Sequence, residues 1–324
     1  MTKVLASPQA ILRAAEILRS GGLVAFPTET VYGLGADARS LAACAKIFAV
    51  KRRPRFDPLI VHVESEQGLD LVCDFRDDRA RKLATAFWPG PLTLVLPKKP
   101  AIADVVTAGL PTVAVRVPAH PVARALLAES RLPIAAPSAN PFGYISPTLA
   151  EHVERQLGGS VDLVLDGGPC TVGVESTIVD LSGDRPALLR PGGIPTERIE
   201  AIVGELSRVG RTATPAAPGQ LESHYAPRTR LVLGASGDVT VRAGTRVGLL
   251  AFTEPPDDLR AKCAAVEVLS PAADLTEAAE RLFAALHRLD VEGLDVIYAE
   301  RVPSEGLGVA ILDRLERAAS ARSL

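Results

Sequence analysis

Residues 40–63, SLAACAKIFAVKRRPRFDPLIVHV, pass from a helix to a strand through a stiff cationic loop, and that passage sets the fold class. Ser40 is a favourable N-cap. Leu41, Ala45 and Phe48 fall on one helical face, so a helix is expected from about Ser40 to near Lys51, before Pro54. Leu59 to Val63 is a short apolar run with β-branched residues and reads as a buried strand. Between them Lys51-Arg52-Arg53-Pro54-Arg55 places four cations in five residues, followed by Asp57. A solvated face or a targeting signal is the ordinary reading of such a run. Here, however, Pro54 and Pro58 stiffen the backbone between two packed elements and can hold guanidinium groups in fixed positions, which suits a polyphosphate.

Outward from this stretch the chain alternates helical and extended patterns. Ser7 and Pro8 read as an N-cap and first helical residue of an opening helix that Gly21 and Gly22 stop. Short strands are expected at Leu23 to Phe26, Leu92 to Leu96, Val113 to Val117, Val161 to Leu165 and Ser176 to Leu181. Helices are expected at Pro121 to Ser130 and Pro147 to Leu157. From Arg208 to Arg228, proline and glycine defeat both periods, and this stretch reads as a linker. Beyond it, strands at Leu231 to Leu233, Arg246 to Phe252 and Leu294 to Tyr298 alternate with helices at Asp274 to Leu289 and Gly308 to Ala319, the pattern of a small parallel α/β unit. The expected division is a mixed α/β unit at 1–207, a linker at 208–229 and a C-terminal α/β unit at 230–324.

Composition excludes several classes. The 324 residues are 47% hydrophobic and 23% charged, with 36 Lys and Arg against 38 Asp and Glu, so the chain can bury a real core and is not basic throughout. Without a run of eighteen apolar residues or the apolar centre of a secretory signal, a cytoplasmic protein that avoids membranes is expected. Cys44, Cys73, Cys170 and Cys263 are too widely spaced for a CxxC pair and read as reduced and mostly buried. HExxH, Walker A and complete GxGxxG motifs are absent from the sequence, so a nucleotide would be held by other means.

Three further segments carry chemistry. Pro27 to Gly35, PTETVYGLG, follows a strand and packs hydroxyls and glycines into one turn, where backbone can approach a ligand closely; a decorated turn explains it as well. Ala135 to Pro141, AAPSANP, presents Ser138 and Asn140 two residues apart, which an extended backbone would send in one direction. Ser146-Pro147 then looks like the start of a helix, whose free N–H groups attract anions. Arg116 lies inside an apolar strand, Ser176 and Thr177 inside another, and Arg190 precedes Pro191-Gly192-Gly193. A buried arginine requires an anion, and a structural carboxylate or a ligand's carboxylate or phosphate would serve equally.

Taken in order, PTETVYGLG, KRRPRFDPLIVH, TVAVRVP, APSANPFG, VESTIVD and LRPGG resemble the YrdC-type domain of the threonylcarbamoyl-AMP synthase family. Pro218-Gly219, the run from His224 to Pro227 and the late GVAILDRLERAAS resemble the longer, two-domain members. The resemblance implies an N-terminal twisted, mixed open sheet enclosing a cationic cavity, with a smaller Rossmann-like C-terminal domain. It implies a nucleotidyltransferase that converts L-threonine, bicarbonate and ATP into L-threonylcarbamoyladenylate and diphosphate for tRNA modification. Threonine-binding positions fall on Thr30, His62, Arg116, the backbone at Ala136, and Ser176. ATP-binding positions fall on Arg53, Asp57, Thr112, Ser138, Ser146, Arg190 and Tyr225. Lys51 with Arg53, and Ser138 with Asn140, match the family's paired catalytic motifs. Mg²⁺ is expected to arrive on the ATP phosphates without a protein ligand. Candidate partners are tRNA and the tRNA threonylcarbamoyltransferase. An RNA-binding module without catalysis and a carbamoyl-adenylate enzyme are the rival readings; the latter carries zinc-finger CxxC segments not seen here.

Overall fold

The computed structural model describes residues 2–208, 217, 224–235, 239 and 244–320. The chain opens with β1 (Thr2–Leu5), α1 (Pro8–Arg19), β2 (Val24–Pro27), β3 (Tyr32–Asp37), α2 (Leu41–Lys51) and β4 (Ile60–His62). It continues through α3 (Asp78–Phe87), β5 (Leu92–Pro97), β6 (Thr112–Arg116), α4 (Pro121–Ser130), β7 (Ile134–Ala135) and α5 (Ala150–Leu157). Then come β8 (Leu163–Asp166), β9 (Thr177–Asp180), β10 (Ala187–Arg190), α6 (Thr196–Val203) and β11 (Ser207–Arg208). Among the described residues these strands form one mixed sheet in the order β1-β8-β2-β3-β7-β4-β6-β5-β9-β10-β11. The C-terminal part adds β12 (Arg230–Gly234), β13 (Val247–Ala251), α7 (Asp257–Arg260), β14 (Ala265–Val268), α8 (Leu275–Asp290), β15 (Val296–Glu300) and α9 (Gly308–Ser320). Its sheet runs β12-β15-β13-β14 with every pairing parallel, as the alternating pattern implied.

Local chemistry explains the elements that position the cavity. Ser7 Oγ accepts from Ala10 N and Ser40 Oγ from Ala43 N, both at 3.2 Å, so each expected cap satisfies an otherwise orphaned donor. α2 ends at Arg52, whose left-handed φ of 51° reverses the chain. That reversal leaves Arg52 exposed and turns Arg53 inward. β4 then enters the centre of the sheet, between β7 and β6.

Several expectations are corrected. A strand, not a helix, is the first element; β1 is largely exposed and so lacks a buried stripe, and it is held by parallel pairing to β8. PTETVYGLG is only partly a turn, because Tyr32 onward forms β3. A Cβ on Gly35 would sit 2.8 Å from both Ile134 Cγ2 and Phe26 Cε1, so this glycine serves close strand packing. The helix expected from Pro147 starts at Ala150, with Leu149 at the cap position and no side-chain cap. Ser146 is drawn instead to Glu175, and Pro147 O accepts from Tyr32 N at 2.8 Å, which keeps that segment extended. Cys44, Cys73 and Cys170 are free and buried, whereas Cys263 is half-buried. Most of the expected linker, including Pro218 and Gly219, lies outside the described residues. No helix among the described residues is long and apolar enough to cross a membrane.

The cores meet at the boundary between the two sheets. One apolar cluster joins Val31, Ile145, Val174 and Tyr225 to Ala279, Phe283, Leu286 and Ile311 of the C-terminal helices. His152 of α5 stacks on His287 of α8, with centroids 3.8 Å apart and planes at 22°. The C-terminal unit is therefore packed directly against the wall of the first.

Candidate active site

A cavity opens where the carboxyl ends of parallel β4 and β6 lie side by side, with His62 in register with Arg116. Thr30, His62, Arg116, Ala136 and Ser176 line one half of it, and Arg53, Ser138, Arg190 and Tyr225 line the other. Residues far apart in sequence are thus brought together as the motif order implied. Lys51, Asp57, Thr112, Asn140 and Ser146 do not reach the cavity surface, and their positions revise how the site is built.

Arg116 settles the question of its anion. Its Nη2 contacts Glu29 Oε1 at 2.5 Å, Nη1 donates to Thr30 Oγ1 at 2.9 Å and Nε donates to Gly90 O at 3.1 Å. A structural carboxylate holds it, yet a guanidinium has five N–H groups and only three are used here. Burial raises the Glu29 carboxyl, but the Arg116 charge and hydrogen bond outweigh that and leave it below the ordinary carboxylate range. Thr28 and Thr30 share a 2.8 Å hydroxyl contact. His62 is buried, and its Nδ1 has no hydrogen-bond partner among the described residues. Burial first, then the Arg116 charge, lowers its pKa to about 3, so it is a neutral imidazole at physiological pH. The N–H of Ala136 donates to Ile60 O at 2.9 Å, so its carbonyl is the backbone group it can offer.

On the other half, Arg53 Nη2 lies 2.8 Å from Asp57 Oδ2 and donates to Pro58 O at 2.8 Å, while Nε donates to Asp57 O at 3.1 Å. Asp57 is thus a holder of Arg53, and the cation that offsets its charge is Arg53 itself, not Arg55. Nη1 of Arg53 makes no hydrogen bond within the described residues. Arg190 donates to Ser176 O at 2.9 Å and to Ser176 Oγ at 3.1 Å, and Ser176 Oγ is also 2.7 Å from Thr93 Oγ1. This one serine joins the two halves.

Lys51 lies beneath the turn, not on the cavity wall. Its Nζ donates to Ser138 O at 2.6 Å and to Asn140 O. Burial, then the Arg53 charge, pulls the ammonium well below the ordinary lysine range, against Asp57. Ser138 and Asn140 diverge: Ser138 lines the cavity, whereas Asn140 is fully buried and its Nδ2 donates to Pro141 O and Tyr144 O, each at 2.9 Å. The proline-locked turn is not extended enough to aim both side chains one way. Thr112 lies at the start of β6, at the end of the strand away from Arg116.

Two family models match the chain. One described as Telomere recombination covers residues 16–192, and one described as Threonylcarbamoyl-AMP synthase, C-terminal domain, covers 194–320. The chain belongs to the threonylcarbamoyl-AMP synthase family. It is 43% identical to the threonylcarbamoyl-AMP synthase of Pyrococcus abyssi, over 95% of this chain and 94% of that one. It is also 43% identical to that of Bacillus subtilis, over 96% and 93%. The crystal structure of Pyrococcus abyssi Sua5 complexed with L-threonine superposes with a TM-score of 0.91 at 40% identity, covering 98% of this chain and 96% of that one. The two-domain form of the threonylcarbamoyl-AMP synthase family is thus shared along the whole chain. The first family model stops at 192, but α6 packs on α3 and β11 pairs with β10, so the large sheet continues to Arg208.

Sequence reasoning missed Glu29, Glu175, His224 and Arg314 as parts of this site. Glu29 and Glu175 stood inside segments already singled out; Glu29 is the only acid in PTETVYGLG, whereas Glu175 shares VESTIVD with Asp180. Arg314 stood inside GVAILDRLERAAS, on the buried face of α9 with Ile311 and Leu315, but that it meets the cavity wall follows only from the packing of the second unit.

Proposed function

We propose that this chain performs the reaction of its family, forming L-threonylcarbamoyladenylate and diphosphate from L-threonine, bicarbonate and ATP. The observation that carries this reading is the contiguity of two differently equipped halves in one cavity. One half presents a carboxylate-binding arginine with hydroxyls and a neutral imidazole; the other presents two further arginines, a serine and a buried tyrosine. Arg116 would take the amino-acid carboxylate, with Thr30, His62, Ser176 and the Ala136 carbonyl around the amine and side-chain hydroxyl. Arg53, Arg190 and Ser138 would take the phosphates, under Tyr225.

The threonine amine attacks bicarbonate, giving a carbamate with loss of water. A carbamate oxygen then attacks the α-phosphorus as its bond to the bridging oxygen breaks and diphosphate leaves. All the reactants carry negative charge, so fixed guanidinium groups offset repulsion and the charge that grows on the leaving group. A nucleophilic side chain is not needed. Lys51 contributes by holding the Ser138–Asn140 turn, and Asp57 by aiming Arg53. The described residues contain no group of three or more His, Cys, Asp or Glu suited to a metal, and Mg²⁺ enters as part of the substrate, on the ATP phosphates. We assign catalysis to residues 1–207, with Tyr225 from the 208–229 stretch closing the site beside the 230–324 unit. The adenylate would pass to a tRNA threonylcarbamoyltransferase, a cytoplasmic task.

The test is diphosphate release with each substrate omitted in turn. Release that requires threonine, bicarbonate and ATP together supports the reading; release independent of threonine contradicts it. RNA affinity that falls steeply with salt, without turnover, would mark a binding module instead.

A further inference from the structure

Arg314 is contributed by α9 of the C-terminal unit, yet its side chain is completely buried in the wall of the nucleotide half. Nε donates to Glu175 Oε2 at 2.9 Å, Nη1 donates to Pro191 O at 2.8 Å, and the guanidinium carbon stands 5.1 Å from the centroid of the Tyr225 ring. Asp313 Oδ2 accepts a second bond from Nη1 at 2.8 Å. The other carboxylate oxygen of Glu175 accepts from Ser146 Oγ at 2.5 Å. Ser146 O lies 3.2 Å from Nε2 of His287 on α8, so Ser146 is tied to the C-terminal unit twice.

These contacts converge on three segments around one place. Glu175 and Tyr225 line the cavity, and Pro191 directly follows Arg190, which also lines it. Burying a carboxylate and a guanidinium together adds little stability compared with an apolar pair of the same volume, because desolvation offsets the attraction. What such a pair does supply is a single allowed arrangement. An aliphatic side chain at position 314 could fill the space but could not bond Glu175 and the Pro191 carbonyl while covering the Tyr225 ring.

We propose that Arg314 is a positioning residue for the nucleotide half of the site, through which docking of the C-terminal domain and closure of Tyr225 over the nucleotide become one event. This rests on the ATP-dependent reading above. It gives the second domain a defined role: it sets Tyr225, Glu175 with Ser146, and the end of β10 carrying Arg190. In the threonine half, Thr30, His62 and Arg116 with Glu29 have no bond to Arg314 and should be set independently; only Ser176, bonded to Arg190, is reached indirectly.

The test uses the full chain with Arg314→Gln, Glu175→Gln and the double variant. KM for ATP in threonine-dependent diphosphate release is compared with L-threonine binding measured by calorimetry without nucleotide. The expected result is a rise in KM for ATP on the order of 100-fold, the scale of a displaced positioning group. Threonine affinity should change far less, by no more than a few-fold through Ser176, and the double variant should be no worse than the more affected single one. Equal losses for both substrates, an unchanged KM for ATP, or additive losses would overturn the proposal. If Arg314→Gln does not fold, Glu175→Gln reads the same split, because Arg314 keeps its bonds to Asp313 and Pro191. Wild-type protein without threonine-dependent release would defeat the underlying reading and not this inference.

Discussion

Arg53 shows how much of the site is decided by single side chains. It faces the cavity because Arg52 turns the chain, and it stays there because Asp57 and two backbone carbonyls hold two of its three nitrogens. Arg53→Ala should therefore lower adenylate formation by about two orders of magnitude, the scale of a lost charge-stabilising donor. Near-normal turnover would contradict its role. Selectivity also belongs at this scale. The buried Nδ1 of His62 has no partner among the described residues, and Thr30 lies alongside Arg116. Serine differs from threonine by one methyl and should be disfavoured by roughly 1 to 3 kcal/mol. Valine cannot supply the hydroxyl that a buried donor or acceptor expects, so it should be rejected more strongly. Competition between the three amino acids in the same assay checks this, and equal turnover of valine and threonine would rule out a pocket that reads the hydroxyl.

At the scale of elements, the helix-loop-strand passage from α2 to β4 does the most to place the groups proposed to face the phosphates. Arg52 occupies a left-handed conformation at the helix end, where a side chain is strained by about 1 to 2 kcal/mol and a β-branched one more. Arg52→Gly should keep activity and lose little or no stability, whereas Arg52→Val should lower both. Urea denaturation alongside the activity assay separates these outcomes, and equal effects of the two substitutions would show that the turn is not the relevant feature. This passage was legible in the sequence because its cap, periodicity and prolines are local signals. The helix after Ser146 was misplaced because Ser146 bonds to Glu175, 29 positions away, a long-range partner that outweighs capping. α3 escaped notice because its stripe is small, with only Ala80, Leu83 and Ala84 buried. Arg116, Thr30 and Ser176 stood in recognisable segments, but that Glu29 pairs with Arg116 follows only from the sheet bringing their segments together.

Across the whole molecule, burial of histidines links stability to pH. His62, His152 and His287 have pKa values lowered by burial to about 3, 2 and 4, from an ordinary 6.5. The unfolded chain takes up protons as pH falls below about 6.5, while the native one does not until much lower. Stability is therefore fully present above that pH and is lost as pH falls, by about 1.4 kcal/mol per pH unit for each histidine. Because His152 and His287 stack between the two units, the loss should include the domain interface. Urea midpoints measured from pH 7 to pH 4 should decline throughout, and a flat profile would contradict the burial of neutral imidazoles. On the proposed reading, one cavity, lined by the first unit with His224 and Tyr225 and backed by Arg314 of α9, brings an amino acid and a nucleotide together under fixed arginines. A crystal structure with L-threonylcarbamoyladenylate bound is the most direct test. The threonyl carboxylate should lie on Arg116 and the phosphate beside Arg53, Arg190 and Ser138, with Tyr225 over the nucleotide; an adenylate lodged away from these arginines would contradict the account.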